Sequence, residues 1–243
     1  MNRLADFDEY KALASGFSRA VTNNYMMPSD VRRLTARGDL FAERRLGALF
    51  LFERREGYLK LFFSVADASE TLTPQTEPLT AFIVYREAPD EAQTRWLAAQ
   101  GFRRAVGRIR MTAKTLNAAP SLRGITDASP DEARGLFRES FDTLTADLPL
   151  PDAYGRLLAV RDADGTAAGI LHAGSPRFIA VRANARRHGI AKRLYGAYAA
   201  IRRGAGPVRA WVDADNVPAV ALYGKLGFTP DGARAEGWTK GRL

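Results

Sequence analysis

The chain has 243 residues, 46% hydrophobic and 26% charged, which is the balance of a soluble globular protein with room for one large or two ordinary domains. Its 36 basic and 27 acidic residues leave a net +9, split as +4 over residues 1–120 and +5 over residues 121–243 with acids interleaved; this even spread argues against nucleic acid as the main partner. The absence of cysteine and the presence of only two histidines exclude disulfides, thiolate metal sites, a cysteine nucleophile and a histidine-rich metal centre.

The opening Met1-Asn2-Arg3-Leu4-Ala5-Asp6 has no apolar signal core, and no run approaches the ~18 apolar residues of a membrane helix. A cytoplasmic protein without membrane contact is expected. Asp6-Phe7-Asp8-Glu9 reads as a capping box ahead of a helix Glu9–Val21, and Ser29 as the cap of a second helix ending near Gly38. Between them, Thr22–Met27 is a polar–aromatic loop, suited either to ligand contact or to a packed connection. Strands are expected at Leu40–Leu46, Ala48–Arg54, Tyr58–Val65 and Leu79–Tyr85, with Arg55-Glu56-Gly57 as a tight turn. Pro89-Asp90-Glu91 starts a helix to Gln100; Gly101-Phe102 closes it and the strand Arg103–Met111 follows.

Residues 115–124 form a short join. Ile125–Ala128 reads as a strand, and Ser129-Pro130-Asp131-Glu132 as a strong start for a helix to about Phe141. After a loop at Thr143–Tyr154, Leu157–Arg161 and Ala167–Ala173 form a hairpin about Asp162-Ala163-Asp164-Gly165. The next stretch is the most informative. The apolar run Phe178-Ile179-Ala180-Val181 bends at Arg182–Ala185 into Arg186-Arg187-His188-Gly189-Ile190-Ala191, which opens an amphipathic helix. The first amides of such a helix have no partner within it, the helix dipole adds positive charge at the same end, and together they make an anion cradle. The pattern Arg-x-x-Gly-x-Ala is neither a Walker loop nor a dinucleotide fingerprint, since both glycine spacings are absent. A strand Val208–Val212 then leads through Asp213-Ala214-Asp215-Asn216 into a helix Val217–Leu226, stopped at Gly227-Phe228.

Strand, Asn216, an x-x-Ala-x-x-x-Tyr helix and Leu226-Gly227-Phe228, placed after the Arg186–Ala191 turn, resemble the GNAT superfamily of acyl-CoA N-acyltransferases over roughly residues 121–243. The resemblance implies a mixed α/β (α+β) fold and direct transfer of an acyl group, expected to be acetyl from acetyl-CoA, to a primary amine of a small molecule or peptide. The implied coenzyme site comprises Ile179, Ala180 and Val181 on the strand, Arg186, Arg187, His188, Gly189, Ile190, Ala191 and Lys192 at the turn, and Asn216 and Tyr223. Ile179 and Val181 would pair with the pantetheine arm, with the Val181 N–H polarising the thioester carbonyl. Tyr223 takes the place of the general acid, since a phenol of pKa about 10 stays protonated at neutral pH; the bland alternative is a core tyrosine. Asn216 serves as a pantetheine contact or as a helix cap. His188 faces coenzyme or solvent. No carboxylate lies between Gly169 and Asp213, so His172 is the nearest titratable candidate for a base, against a structural histidine or proton loss to water. Asp147 and Asp152, in the loop that the resemblance places near the acceptor, would attract a cationic amine.

Trp96–Phe102 aligns with Leu222–Phe228, so the first half reads as a degenerate copy and the chain as two tandem GNAT-like domains, 1–116 and 121–243, each a mixed, mostly antiparallel sheet flanked by helices. In the first copy Leu97 replaces Tyr223, Asp90 replaces Asn216, and no Arg-x-x-Gly-x-Gly/Ala turn joins a strand to a helix; it is expected to lack an acyl-CoA site and to pack beside the second copy. A monomer is expected, with a homodimer open. The alternatives are a non-catalytic coenzyme-binding scaffold or sensor and, ranked last, an aminoacyl-tRNA-dependent transferase.

Overall fold

A computed structural model describes residues 1–17, 21–141, 156–174, 178–202 and 206–242. The first half runs β1 (Asn2–Arg3), α1 (Phe7–Ala14), β2 (Val21–Thr22), α2 (Pro28–Arg37), β3 (Leu40–Arg44), β4 (Ala48–Arg55), β5 (Tyr58–Val65), β6 (Leu79–Tyr85), α3 (Glu91–Ala99) and β7 (Arg103–Ala113). The second runs β8 (Thr126–Asp127), α4 (Pro130–Ser140), β9 (Leu157–Arg161), β10 (Ala167–His172), β11 (Ile179–Val181), a 3-10 turn at Ala183–Ala185, α5 (Ile190–Ile201), β12 (Val208–Asp213), α6 (Val217–Lys225) and β13 (Thr229–Lys240). The fold is mixed α/β, with mostly antiparallel sheets flanked by helices. No described helix is long and apolar enough to cross a membrane.

Contacts group the chain into two units: Met1–Gly107 with Ala233–Leu243, and Arg108–Gly232. These differ from a simple division near residues 115–124 because the last strand of each half completes the sheet of the other. β13 pairs with β6, Arg234↔Tyr85 through Lys240↔Leu79, and β7 pairs with β12, Arg108↔Asp213 through Ala113↔Val208.

In the first unit, strand alternation puts Leu49, Leu51 and Phe62 against Val31 and Leu34 of α2, and Phe50, Phe52 and Phe63 against Trp96 and Leu97 of α3. The parallel ladder between β5 and β6 covers only Leu59↔Leu79 to Leu61↔Ala81. Past it the chain's own residues fill the opening. β2 pairs with the far end of β5, and the Asn23 side chain donates to Leu61 O (3.2 Å) and Phe82 O (3.1 Å) while accepting from Phe63 N (2.6 Å). Gln93 of α3 donates to Thr22 O. This pairing also explains why α1 stops at Ala14 rather than continuing to Val21: Val21 and Thr22 are drawn into the sheet. In α2, Pro28 occupies the first helical turn and Met27 the cap position, so Ser29 lies inside the helix instead of capping it.

In the second unit, β11-β10-β9-β8 form an antiparallel sheet. Leu136 and Phe137 of α4 pack on one face with Ala159, Ile170 and Ala180; Leu194, Tyr195 and Tyr198 of α5 pack on the other with Leu158, Val160 and Leu171. β12 belongs to a different sheet and does not pair with β11. A cleft opens between these two strands.

The segment Asp90–Phe102 finds a close counterpart 126 residues later. Asp90 and Asn216 cap α3 and α6 with their side chains, Gly101 and Gly227 stop them at φ 83° and 88°, and Phe102 N and Phe228 N donate to Leu97 O and Tyr223 O, each at 3.0 Å.

Candidate active site

The first wall of the cleft is β11. His172 N donates to Phe178 O (2.7 Å), Arg182 N donates to Ala168 O (2.9 Å), and Ala180 stands opposite Ile170 between them. Hydrogen-bonded pairs alternate along an antiparallel ladder, so Phe178, Ala180 and Arg182 use their backbones on β10. The amides of Ile179 and Val181 therefore point away from β10, along an unpaired edge. The Val181 carbonyl accepts from Arg186 Nε at 3.2 Å, which leaves its N–H as the donor on that edge.

The turn after β11 reverses the chain through two left-handed residues, Arg187 (φ 69°) and Gly189 (φ 73°). Gly189 is the N-cap of α5, and no side chain caps this helix end or places an acid in its first turn. By contrast Asp6, Asp90, Ser129 and Asn216 cap their helices with side-chain oxygens. The first amides of α5 are thus left without a helix partner, beside Arg186, Arg187 and Lys192. An added Cβ at Gly189 would meet no atom within 4 Å, so the glycine is required by its φ and leaves open space in front of the backbone.

Two other glycines seat this helix. A Cβ on Gly169 would lie 2.6 Å from Ile190 Cγ2, and one on Gly196 would lie 2.6 Å from Ala119 O. Neither was anticipated; a glycine inside a strand pattern such as Ala167–His172 is the signal that marks such a close approach.

The opposite wall is α6. Asn216 Oδ1 accepts from Ala219 N at 3.1 Å as a helix cap, and its amide nitrogen remains as a donor at the cleft. Tyr223, only 4% exposed, packs edge-on against Tyr195 and Phe228 with ring centroids 6.0 and 5.1 Å away. Burial pushes its phenol above the ordinary value, partly offset by the neighbouring Tyr195 hydroxyl.

The cleft has a volume of about 850 Å³ and is lined entirely by residues of the second unit. It brings together Ile179, Ala180, Val181, Arg186, Arg187, Gly189, Ile190, Ala191, Lys192, Asn216 and Tyr223. His188 is exposed and is not part of the lining. His172 is buried on β10, shares the strand parity of Ile170 in the cluster beneath α4, and is not among the residues that line the cleft. Asp147 and Asp152 lie outside the described residues. The lining also contains Arg108, Phe141, Trp211 and Asp213, which the motifs did not single out.

Residues 126–228 match the model of the acetyltransferase (GNAT) family. No curated protein matches the chain. Among solved structures, a Drosophila protein is similar at 15% identity and TM-score 0.56, over 83% of this chain and 78% of its own. A GCN5-related N-acetyltransferase from Kribbella flavida is similar at 17% identity and TM-score 0.54, over 87% and 93%. Another GCN5-related N-acetyltransferase, from Sphaerobacter thermophilus, is similar at 17% identity and TM-score 0.50, over 95% and 90%. At these identities the structural likenesses speak for the fold. The family match over β8 to Phe228 identifies residues 126–228 as a GNAT-family acetyltransferase domain, of the acyl-CoA N-acyltransferase kind.

Proposed function

We propose that the second unit transfers an acetyl group from acetyl-CoA directly to a primary amine of a small molecule or peptide. The observation that carries this reading is the convergence, in one cleft, of an unpaired strand edge, an uncapped helix start and a buried phenol. Bound acetyl-CoA supplies the thioester carbon that the amine attacks. The amides of Ile190, Ala191 and Lys192 hold the diphosphate, with Arg186 and Arg187 adding charge. Ile179 and Val181 take the pantetheine arm along the strand edge, and Asn216 donates to it. The Val181 N–H stabilises the oxyanion that forms as nitrogen adds to the carbonyl. Tyr223 then gives its proton to the departing thiolate. The ammonium proton of the acceptor leaves to solvent rather than to His172, which the cleft does not reach.

A coenzyme-binding scaffold without catalysis is the second reading. Tyr223 favours the enzyme, because it sets a protonated donor among the residues that line the cleft.

We further propose that the chain is a tandem pair working as a cytoplasmic monomer, with no acyl-CoA site in the first unit. There the opening beyond the β5–β6 ladder is taken by Val21, Thr22 and Asn23, and Leu97 stands where the second copy has Tyr223. Calorimetry with acetyl-CoA should give one site per chain, and an amine-library screen should release free thiol. Two sites, or coenzyme binding with no thiol release from any amine, would count against the tandem assignment and the enzyme respectively.

A further inference from the structure

The cleft has a second wall that the coenzyme chemistry leaves unused. Side chains alternate across β11 and β12. Ile179, Val181 and Val212 turn toward the core beside α5 and α6, whereas Phe178 packs in the cluster beneath α4, and Trp211 and Asp213 have the opposite parity to Val212. Phe141, at the end of α4, meets Phe178 edge-on with ring centroids 6.4 Å apart. These side chains line the same cleft as Tyr223, with Arg108 directly across from Asp213 on β7.

Asp213 is the only carboxylate among the described lining residues. Arg108 Nε donates to its Oδ1 at 3.0 Å, and its Oδ2 has no partner among the described residues. Of the two side chains, the carboxylate is the one presented: it is 34% exposed, against 14% for the guanidinium. The acid is also tied to the helix that bears Tyr223, because Asn216 N donates to Asp213 O at 3.0 Å. A fixed carboxylate with one oxygen to spare, in a cleft that Phe141, Phe178 and Trp211 also line (the Trp211 ring with the Arg110 guanidinium 5.7 Å from its centroid), is the chemistry that receives an ammonium ion attached to an apolar body. Charge-assisted hydrogen bonds are stronger than neutral ones, ring faces attract cations, and the remaining ring surface buries hydrocarbon.

We infer that this wall selects the acceptor: a primary amine entering as its ammonium ion, met by Asp213 Oδ2, and carrying an uncharged aromatic or other apolar group that lies against Phe141, Phe178 and Trp211. The inference rests on the acetyltransferase reading and gives it a substrate class. An amine with a carboxylate beside its nitrogen would bring that charge against Asp213 and be disfavoured.

The test uses the full chain saturated with CoA, which cannot react, and two probes that share a ring and an amine: phenethylamine and phenylalanine, the second carrying an added carboxylate. Calorimetry should show phenethylamine binding at least tenfold more tightly than phenylalanine. Asp213→Asn, which keeps the shape, should weaken phenethylamine at least tenfold while leaving CoA affinity unchanged. Trp211→Ala should weaken phenethylamine while retaining its preference over phenylalanine. Equal affinity for the two probes, no phenethylamine binding, or an Asp213→Asn variant that binds it normally would overturn the inference. A change in CoA affinity in Asp213→Asn would assign the acid to the coenzyme instead and also overturn it. Failure of the wild-type chain to bind CoA is a separate result, and it would bring down the acetyltransferase reading itself.

Discussion

Enclosed by Tyr195 and Phe228, the Tyr223 phenol has lost the water that its phenolate would need, so the neutral form is favoured above the ordinary value of 10.0. At neutral pH it is a donor with its proton in place. Tyr223→Phe keeps the ring and removes the proton; turnover should fall about 100-fold, in the range for general acid catalysis, with acetyl-CoA affinity unchanged by calorimetry. Unchanged single-turnover rates would remove Tyr223 from that role. The same shift has a stability consequence with a definite sign. The folded state holds this proton more tightly than the unfolded state, so the contribution is fully present below pH 10 and is lost as pH rises through the folded value. Melting temperature should therefore decline more steeply above pH 10 in wild type than in Tyr223→Phe.

Local signals carry most of what could be read of individual elements, and their limits are physical. The capping box at α4 is a case where side chain and backbone agree: Ser129 Oγ accepts from Glu132 N, and Glu132 accepts from Ser129 N at 2.8 Å. Arg161, bonded at 2.6 Å, and then the Ser129 amide pull the Glu132 carboxyl down to about 2. A depressed value means stability present above the ordinary 4.5 and lost as pH falls toward about 2. Glu132→Gln keeps the cap but loses the ion pair. Its urea midpoint should lie slightly below wild type at pH 7, slightly because the pair is partly exposed, and the gap should narrow below pH 4.5 and close only as pH falls through about 2. Caps and glycine stops are legible because they act over a few residues. The early end of α1 was not, because it depends on β2 joining β5, some forty residues along the chain. Asn23 makes the same point. In sequence it is one polar residue in a loop; in the fold it bonds three backbone groups of β5 and β6. Asn23→Ala leaves those groups buried and unpaired and should cost about 3 kcal/mol or more in chemical denaturation. A loss below about 1 kcal/mol would mean that water replaces the amide there, and that the opening is not closed as tightly as the proposed absence of a coenzyme site in the first unit requires.

For the molecule as a whole, the kinds of element and the Arg186–Ala191 and Asn216–Phe228 parts of the cleft lining were legible, because these are local motifs whose backbone geometry follows from glycine, cap and helix spacing. The acceptor wall was not, since Arg108, Phe141, Trp211 and Asp213 come from separate elements and share no spacing rule. Nor was the exchange of strands, because an apolar alternation such as that of β7 marks a buried face without naming its neighbour. The exchange makes the sequence-level division 1–116 and 121–243 testable as a unit of folding. β12 pairs with β7 along all of Val208–Asp213, and Met111 and Ala113 sit in the same core as Val208, Ala210 and Val212. A fragment of residues 121–243 keeps every coenzyme-lining residue proposed above but loses this ladder. Each buried backbone group left unpaired costs about 1–3 kcal/mol, and a few of these consume the ~5–15 kcal/mol that holds a domain together. That fragment should show no cooperative melt by circular dichroism and no acetyl-CoA binding. A fragment of residues 101–232, which restores β7, should regain both. If residues 121–243 alone melt cooperatively and bind coenzyme, β7 is not part of the second unit's folding core.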